Sequence, residues 1–335
     1  MIKYIIKRLF ISIFVLLGVS IIIYTLVRMM PNDYLDTKFS SQLQQGTITA
    51  EQLMEFKNQY GIGDSSFKGL VNGYFQWLGN MLKGDLGLSF KYEKPVAQVI
   101  GENMWVSFAI AVIATLLQFA IAIPLGVTSA THQYSKIDYA VTIFTMIGIS
   151  LPTYFFAAII IKYFAVDLGW FPSTGLIPAS VTYTDNFAGV LAKMFDMGHH
   201  LVLPIFCTVI LSLGGLMRYT RTNTLEVLGA DYIRTARAKG LPENQVIYKH
   251  AFRNNMIPLV TLLAGILPSL FGGMMITEEV FAIDGIGRLA YKALSEGDIP
   301  FVMGYNMFLA VLTVIGTLFS DIMYSVVDPR VKLGK

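Results

Sequence analysis

Charge is what this 335-residue chain has least of: only 14% of its residues are Asp, Glu, Lys or Arg, against 54% hydrophobic and a mean hydropathy of +0.58. A soluble domain carries about a quarter charged residues, and a disordered chain has too few apolar side chains to bury, so both classes are excluded. Cysteine is nearly absent too. Cys207 alone cannot close an internal disulfide, and four histidines at 132, 199, 200 and 250 with no CxxC leave little for a structural metal. The adjacent pair His199 and His200 has no second cluster of ligands near it in the sequence. A net charge of +3 is too small to attract nucleic acid.

Catalytic signatures are missing as well. No histidine opens an HExxH, no GxSxG occurs, and no GxxxxGK[ST] loop is present to cradle a phosphate. Intramembrane hydrolysis therefore has no visible catalytic set, and any nucleotide chemistry belongs on another chain.

What the chain does have is length of apolar run. Leu9 to Val27, Met104 to Ala130, Tyr139 to Ile161, Leu201 to Met217, Met256 to Thr277 and Ile299 to Ser320 are free of Asp, Glu, Lys and Arg. As helices at about 1.5 Å per residue, most of these cover about 30 Å of hydrocarbon, so the sequence predicts an all-α membrane protein with six transmembrane helices. The fourth run is the shortest and is expected to continue as a helix beyond the bilayer. Pro124, Pro152, Pro204 and Pro268 lie inside the runs, where kinks are expected. The absence of Asp, Glu, Lys and Arg from all six argues against a proton-coupled carrier, which places an ionisable relay at mid-membrane. No inverted pair of broken helices marks a secondary transporter's site either. Lys3, Lys7 and Arg8 ahead of the first run also suit a secretory signal. That run leaves through Arg28, Met29, Met30, Pro31 and Asn32 with no small-x-small site, so a retained first span is expected.

Orientation follows from the basic residues. With both termini on one side, that side holds fourteen of the 25 Lys and Arg residues and six of the 22 Asp and Glu residues. The positive-inside rule makes it cytoplasmic. Residues 31–103 then form a long external region, 162–200 an external loop, and 218–255 the one substantial cytoplasmic segment.

That segment is the most informative stretch. Asp231 is placed to cap a short Ala-rich helix, basic residues gather toward its end, and Gly240 stands where a left-handed C-cap belongs. Pro242 permits a second helix, running to Asn254 or Asn255. Two short helices at an angle make a protruding elbow, readable either as a solvated basic loop or as a docking knob for a cytoplasmic partner.

Here the sequence resembles a known family. Asp231-Tyr-Ile-Arg-Thr-Ala-Arg-Ala-Lys-Gly-Leu241, followed by His250-Ala-Phe-Arg-Asn254 and Ile257-Pro258, is similar to the EAA loop of ABC importer permeases, in the variant of the oligopeptide, dipeptide and nickel permeases. Further pieces recur in order along the chain. They are Leu26-Val-Arg-Met-Met-Pro31, Tyr60-Gly61, Gly84-Asp-Leu-Gly-Leu-Ser89 with Pro95-Val96, Gly169-Trp-Phe-Pro172, Glu279-Val-Phe281 with Gly285-Ile-Gly-Arg288, and Asp328-Pro-Arg330. Asn32, Pro242 and Asp284 depart from the family's usual glycine, serine and proline.

The resemblance implies a type I ABC importer permease fold. Its parts would be an N-terminal transmembrane helix over 1–30, the external region, a five-helix permease core over 104–327 with the coupling loop 218–255, and a cytoplasmic tail over 328–335. It implies a multi-pass protein of the bacterial inner membrane and one of two non-identical permease subunits enclosing a path for oligopeptides or dipeptides, with nickel or a metal chelate as the alternative cargo. Two cytoplasmic ATPase subunits would bind ATP and Mg, this chain binding no cofactor and catalysing nothing, and an extracytoplasmic peptide-binding protein would deliver substrate. By position, Asp231, Arg234, Ala236, Ala238, Gly240 and Leu241 would contact an ATPase subunit. Arg218 and Arg221 are expected to anchor the fourth span at lipid phosphates.

Met146, Met274 and Met275, with the Pro152 kink, offer adaptable thioethers for a tolerant path, or simply pack in core and lipid. Glu278 and Glu279 stand at the outer end of the fifth span, where they would either meet a peptide's amino terminus or form a solvated rim. From a different class, a stand-alone channel or ion-coupled carrier is the competing reading.

Overall fold

A backbone in hydrocarbon finds no water for its N–H and C=O groups, so each long apolar run must close its own hydrogen bonds as a helix. The computed structural model describes residues 2–29, 34–59, 66–178, 181–252, 259 and 262–327, and most of its described apolar runs are helical. Among the described residues four helices are long and apolar enough to cross a membrane: α1 (Ile2–Arg28), α5 (Val96–Thr131), α8 (Phe187–Leu228) and α14 (Ile299–Val327). Three shorter helices, α2 (Tyr34–Gln44), α3 (Ala50–Gln59) and α4 (Phe67–Leu82), occupy the segment between α1 and α5. Among the described residues there is no β-strand, only one bridge between Leu88 and Pro95.

The third expected span is not straight. It divides into α6 (Lys136–Ser150) and α7 (Thr153–Ile160), the latter continued by π-helical turns over Ile161–Asp167, and the halves meet at 105°. Pro152 is the cause: its ring forbids the helical hydrogen bond and holds Leu151 extended at φ −81°, ψ 125°. Pro124 and Pro204, by contrast, sit inside continuous α5 and α8.

The fourth span is longer than its apolar run. α8 begins at Phe187, capped by the Asn186 side chain on Gly189 N, so 187–200 is helix rather than loop. The fifth expected span lies partly outside the described residues. Its described part is not one helix: α11 (Leu263–Gly272) stops at Gly273, whose φ of +70° ends the helix, and α12 (Met275–Val280) follows as a separate short element. α13 (Ile286–Glu296) then leads into α14.

Small residues let the helices approach. A Cβ on Gly126 of α5 would lie 2.7 Å from Thr220 Cβ of α8, and one on Gly214 of α8 would lie 2.7 Å from Thr145 O of α6. Such close backbone contact replaces the hydrophobic effect where lipid is as apolar as leucine. α1 stands at the margin, its residues Ile6, Phe10, Phe14, Ile22 and Leu26 exposed. The start of α1 meets the end of α14 through Tyr4 and Arg8 on Asp321 (3.0 and 2.9 Å), so these two helix ends, nearest the termini in sequence, lie at one end of the bundle.

At that same end Arg221 of α8 forms two hydrogen bonds to Asp138 (2.8 and 3.0 Å), which also accepts from Ser129 Oγ and Tyr134 N. The expectation that Arg221 reaches for lipid phosphate is thereby corrected: its guanidinium ties α8 to the α5–α6 turn. Asp138 is 5% exposed, and an unpaired carboxylate there would be costly.

Candidate functional site

Two features can do chemistry or make contacts: the elbow between α8 and the described end of the 218–255 segment, and a polar cleft between helices.

The elbow begins with α9 (Asp231–Ala238). Asp231 was expected to cap it, but the cap position is Ala230 and makes no side-chain bond. Asp231 is instead the first helical residue, where its charge still suits the helix N-terminus, and it lies 3.7 Å from Arg234. The C-terminus follows the Schellman pattern, in which Gly240 N donates to Arg237 O (2.9 Å) and Leu241 N to Ala236 O (3.4 Å). Gly240 has φ +74°, the left-handed conformation the sequence called for.

Pro242 then opens α10 (Glu243–Gln245), which continues as π-helical turns over Val246–Ala251. Asn254 and Asn255, the expected end of this second arm, lie outside the described residues. The arms share a small core of Ile233, Ala236, Val246 and Ala251, with Leu241 packed against it. Arg237 clamps them from outside through Glu243 (2.6 and 3.2 Å). That pairing holds the Glu243 carboxyl below its usual range and the guanidinium above its own. Arg234, Ala238 and Gly240 stay exposed, whereas Ala236 is buried inside the elbow and supports its shape rather than its surface.

Sequence reasoning missed the cleft. Thr115, Gln118 and Phe119 of α5, Ser212, Leu216 and Tyr219 of α8, and Ile266 and Ser269 of α11 enclose about 380 Å³. Each helix contributes residues three or four apart, which share one face. Gln118 Nε2 donates to Ser212 O at 3.0 Å, joining two walls. None of these residues is Asp, Glu, Lys, Arg or His, and single Ser, Thr or Gln positions inside apolar runs carry little signal until the helices are assembled. The cleft offers hydrogen-bonding groups without charge, a surface that suits an uncharged polar backbone and its water.

The expected path residues lie elsewhere. Met146 is exposed on α6, beside Arg218 and Arg221, and Pro152 sits at the α6–α7 break. Met274 and Met275 fall at the break between α11 and α12, where Met274 Sδ accepts from Thr208 Oγ1 at 3.3 Å. Glu279 pairs with Arg288 at 3.0 Å. Glu278 is neither rim nor open surface: it is fully buried, accepting from Ser107 Oγ (2.7 Å), Met274 N (2.9 Å) and Arg288 N (2.9 Å). His199 and His200 each bond a loop carbonyl, those of Trp170 (3.0 Å) and Gly175 (3.1 Å), and so pin the 168–176 loop onto α8.

At the end away from the termini the scattered motifs meet. Asp298, buried at the N-cap of α14, accepts from Ser89 Oγ (2.5 Å), Phe90 N (3.2 Å), Lys91 N (3.1 Å) and Phe301 N (3.2 Å). This fastens the Gly84–Ser89 turn to the last helix. Asp284, where the related pattern has proline, pairs with Arg288 at 2.8 Å and closes its turn with an ion pair instead.

Comparison with known proteins matches residues 122–333 to the family of binding-protein-dependent transport system inner membrane components. The chain is 37% identical to the oligopeptide transport system permease protein AppB of Bacillus subtilis, over 99% of this chain and 100% of that one. It is 34% identical to a putative peptide transport system permease protein of Brucella abortus, over 98% of each. It is 29% identical to the dipeptide transport system permease protein DppB of Alkalihalophilus pseudofirmus, over 99% and 100%. Among solved structures, a chain of the MetNI methionine ABC transporter in inward-facing form superposes with a TM-score of 0.50 at 18% identity, covering 69% of this chain and 97% of that one. That likeness concerns the fold, a type I importer permease.

Proposed function

Because the chain belongs to the family of binding-protein-dependent transport system inner membrane components, we propose that it forms one half of the path of an ATP-driven peptide importer. A second, homologous permease supplies the other half, two cytoplasmic ATPase subunits bind ATP and Mg, and an extracytoplasmic binding protein delivers the peptide. The observation that carries this reading is the elbow, a preformed turn on the basic end of the bundle whose outer surface is left uncovered. Arg234, Ala238, Gly240 and Leu241 are its contacts with an ATPase subunit, and Asp231 and Ala236 hold it in shape. The relatives named above carry peptide substrates in their names, which supports peptide over nickel.

The path runs along the α5–α8–α11 cleft. Neutral donors and acceptors serve a peptide backbone whatever its side chains, and a binding protein can then supply the selectivity. Of the residues expected there from sequence, Met146 is exposed on α6 and Glu278 is buried among hydrogen-bond donors, and neither borders this cleft.

Reconstituted with its partners, the assembly should take up a defined tripeptide when ATP is supplied, and should continue after an ionophore collapses the proton gradient. Uptake that stops with the gradient would remove the ATP-driven reading. Orientation is tested separately. In a Cys207→Ser background, Lys68→Cys should react with an impermeant thiol reagent from outside and Lys239→Cys should not; the reverse pattern would place the termini outside.

A further inference from the structure

Along the seam of α1 and α14, against α4, two cavities are stacked. The first, about 360 Å³, lies at the end away from the termini and is lined by Arg28, Gln76, Trp77, Asn80 and Asp85. The second, about 470 Å³, is lined almost wholly by carbon, including Leu16, Leu17, Leu78, Met81, Phe308 and Val311. Leu86 borders both. From Arg28 to Leu17 the chain descends about 16 Å along α1, so the apolar cavity sits deeper in the bilayer than the polar one.

Tyr24 and Trp77 line the polar cavity, and Tyr74, packed against both with ring centroids 5.6 and 6.2 Å away, hydrogen-bonds Ser20 of the apolar one at 2.8 Å. Aromatic rings of this kind mark the boundary between headgroups and hydrocarbon. The polar cavity is therefore at headgroup depth and the apolar one at acyl depth. The charged residues lining the first are one cation and one anion: Arg28, about one helical turn beyond Tyr24 on α1, and Asp85, which accepts the Gly87 N–H at 2.9 Å. The buried indole N–H of Trp77 has no acceptor among the described residues.

We propose that these cavities together hold one glycerophospholipid whose headgroup carries an ammonium beside its phosphate. The phosphate lies at Arg28, the ammonium at Asp85, and an acyl chain fills the cavity between Leu17 and Val311. A guanidinium pairs strongly with phosphate oxygens, and the order of charge and apolar surface along the seam is that of a membrane lipid. The bound lipid cements α1, the least buried of the four long helices, to the rest of the chain.

The test uses the assembled transporter, washed in mild detergent and examined by native mass spectrometry with lipid extraction. Phosphatidylethanolamine should remain bound to this subunit after bulk lipid is removed. Leu17→Trp, which fills the acyl cavity, and Arg28→Gln, which removes the phosphate partner, should each lower its retention about tenfold, the equivalent of about 1.4 kcal/mol. If Leu17→Trp does not assemble, Val311→Trp fills the same space from the opposite wall. Retention unchanged in these variants, or no retained phospholipid in the parent, would overturn the proposal. So would equal competition by soluble glycerophosphoethanolamine, which has the headgroup without the chains, or displacement of the lipid by trialanine, which would make the polar cavity a peptide site.

Discussion

Gly240 and Gly285 both stand at turns, yet a Cβ added to the first meets nothing within 4 Å, whereas one added to the second lands 2.5 Å from Glu278 Oε2 and 2.5 Å from Ser107 Oγ. The elbow and the far end of the bundle differ in the same way, although the helix ends behind the elbow hold a closed pair of their own in Arg221 and Asp138. At the elbow the only special demand is the backbone angle of Gly240, and the surface beyond is open. At the other end, buried carboxylates Glu278 and Asp298 are surrounded by donors, and Gly273, Gly285 and Gly287 are packed against Glu278 and its neighbours. The closed end specifies its own shape. The elbow leaves its outer surface uncovered by this chain. Gly285 therefore marks self-packing and Gly240 only a backbone angle, and only the surroundings distinguish the two.

The comparison breaks most severely at Gly285. Its φ of −91° suits any residue, so Gly285→Ala acts through the clash alone. It should cost about 3 kcal/mol, read as a lower melting temperature of the purified assembly and less protein in the membrane. Next is Asp298→Ala, which removes the cap of α14 and leaves the Ser89, Phe90 and Lys91 donors without their acceptor. A loss of about 2 kcal/mol is expected, with protease cutting near 85–95 before the rest of the chain unfolds. Arg221→Met at the termini's end should cost about 1 to 2 kcal/mol, because the guanidinium is partly exposed, and Asp138→Asn added to it should recover part of the loss in a double-mutant cycle.

Smallest is Arg237→Ala on the elbow, within about 0.5 kcal/mol because the pair is exposed. Its pH dependence has a definite sign. Glu243 is held below its unfolded value, so the clamp contributes above about pH 4.3 and is lost as pH falls through the lowered value. Hydrogen exchange of the elbow amides should therefore differ between parent and variant at neutral pH and converge in acid. A variant difference that grows in acid would contradict the ion pair.

Much of this was legible in the sequence, and the reasons are local. Apolar runs without charge located α1, α5, α8 and α14, since hydrocarbon leaves the backbone no alternative to a helix. Gly240 was legible because a left-handed cap is a property of one residue and its neighbours. The break at Pro152 was foreseen as a kink, but its 105° size depends on what packs around it. The break at Gly273 was not foreseen, because Gly272-Gly273 in an apolar run is equally compatible with a close-packed helix.

The fate of the carboxylates was not legible either. Nothing local to Glu278 says that Ser107, 171 positions away, will donate to it. The same holds for Asp298 and Ser89, and for the cleft, whose polar residues are ordinary until three helices bring them to one face. The motifs that marked the resemblance, Gly84–Ser89, Pro95-Val96, Glu279–Phe281 and Gly285–Arg288, prove to be neighbours in space at the closed end.

The account stands most directly on the open end. Valine resists φ +74° at Gly240, a strain of about 1 to 3 kcal/mol confined to the elbow because the added side chain meets nothing. The measurement is co-purification of the ATPase subunits with the Gly240→Val permease pair, together with the response of ATP hydrolysis to peptide-loaded binding protein. Gly240→Val should insert normally and pair with the second permease, yet lose the ATPase subunits or leave their hydrolysis unresponsive, while Lys249→Ala does neither. Full co-purification with full stimulated hydrolysis in Gly240→Val would contradict the elbow's role and return residues 218–255 to a solvated basic loop.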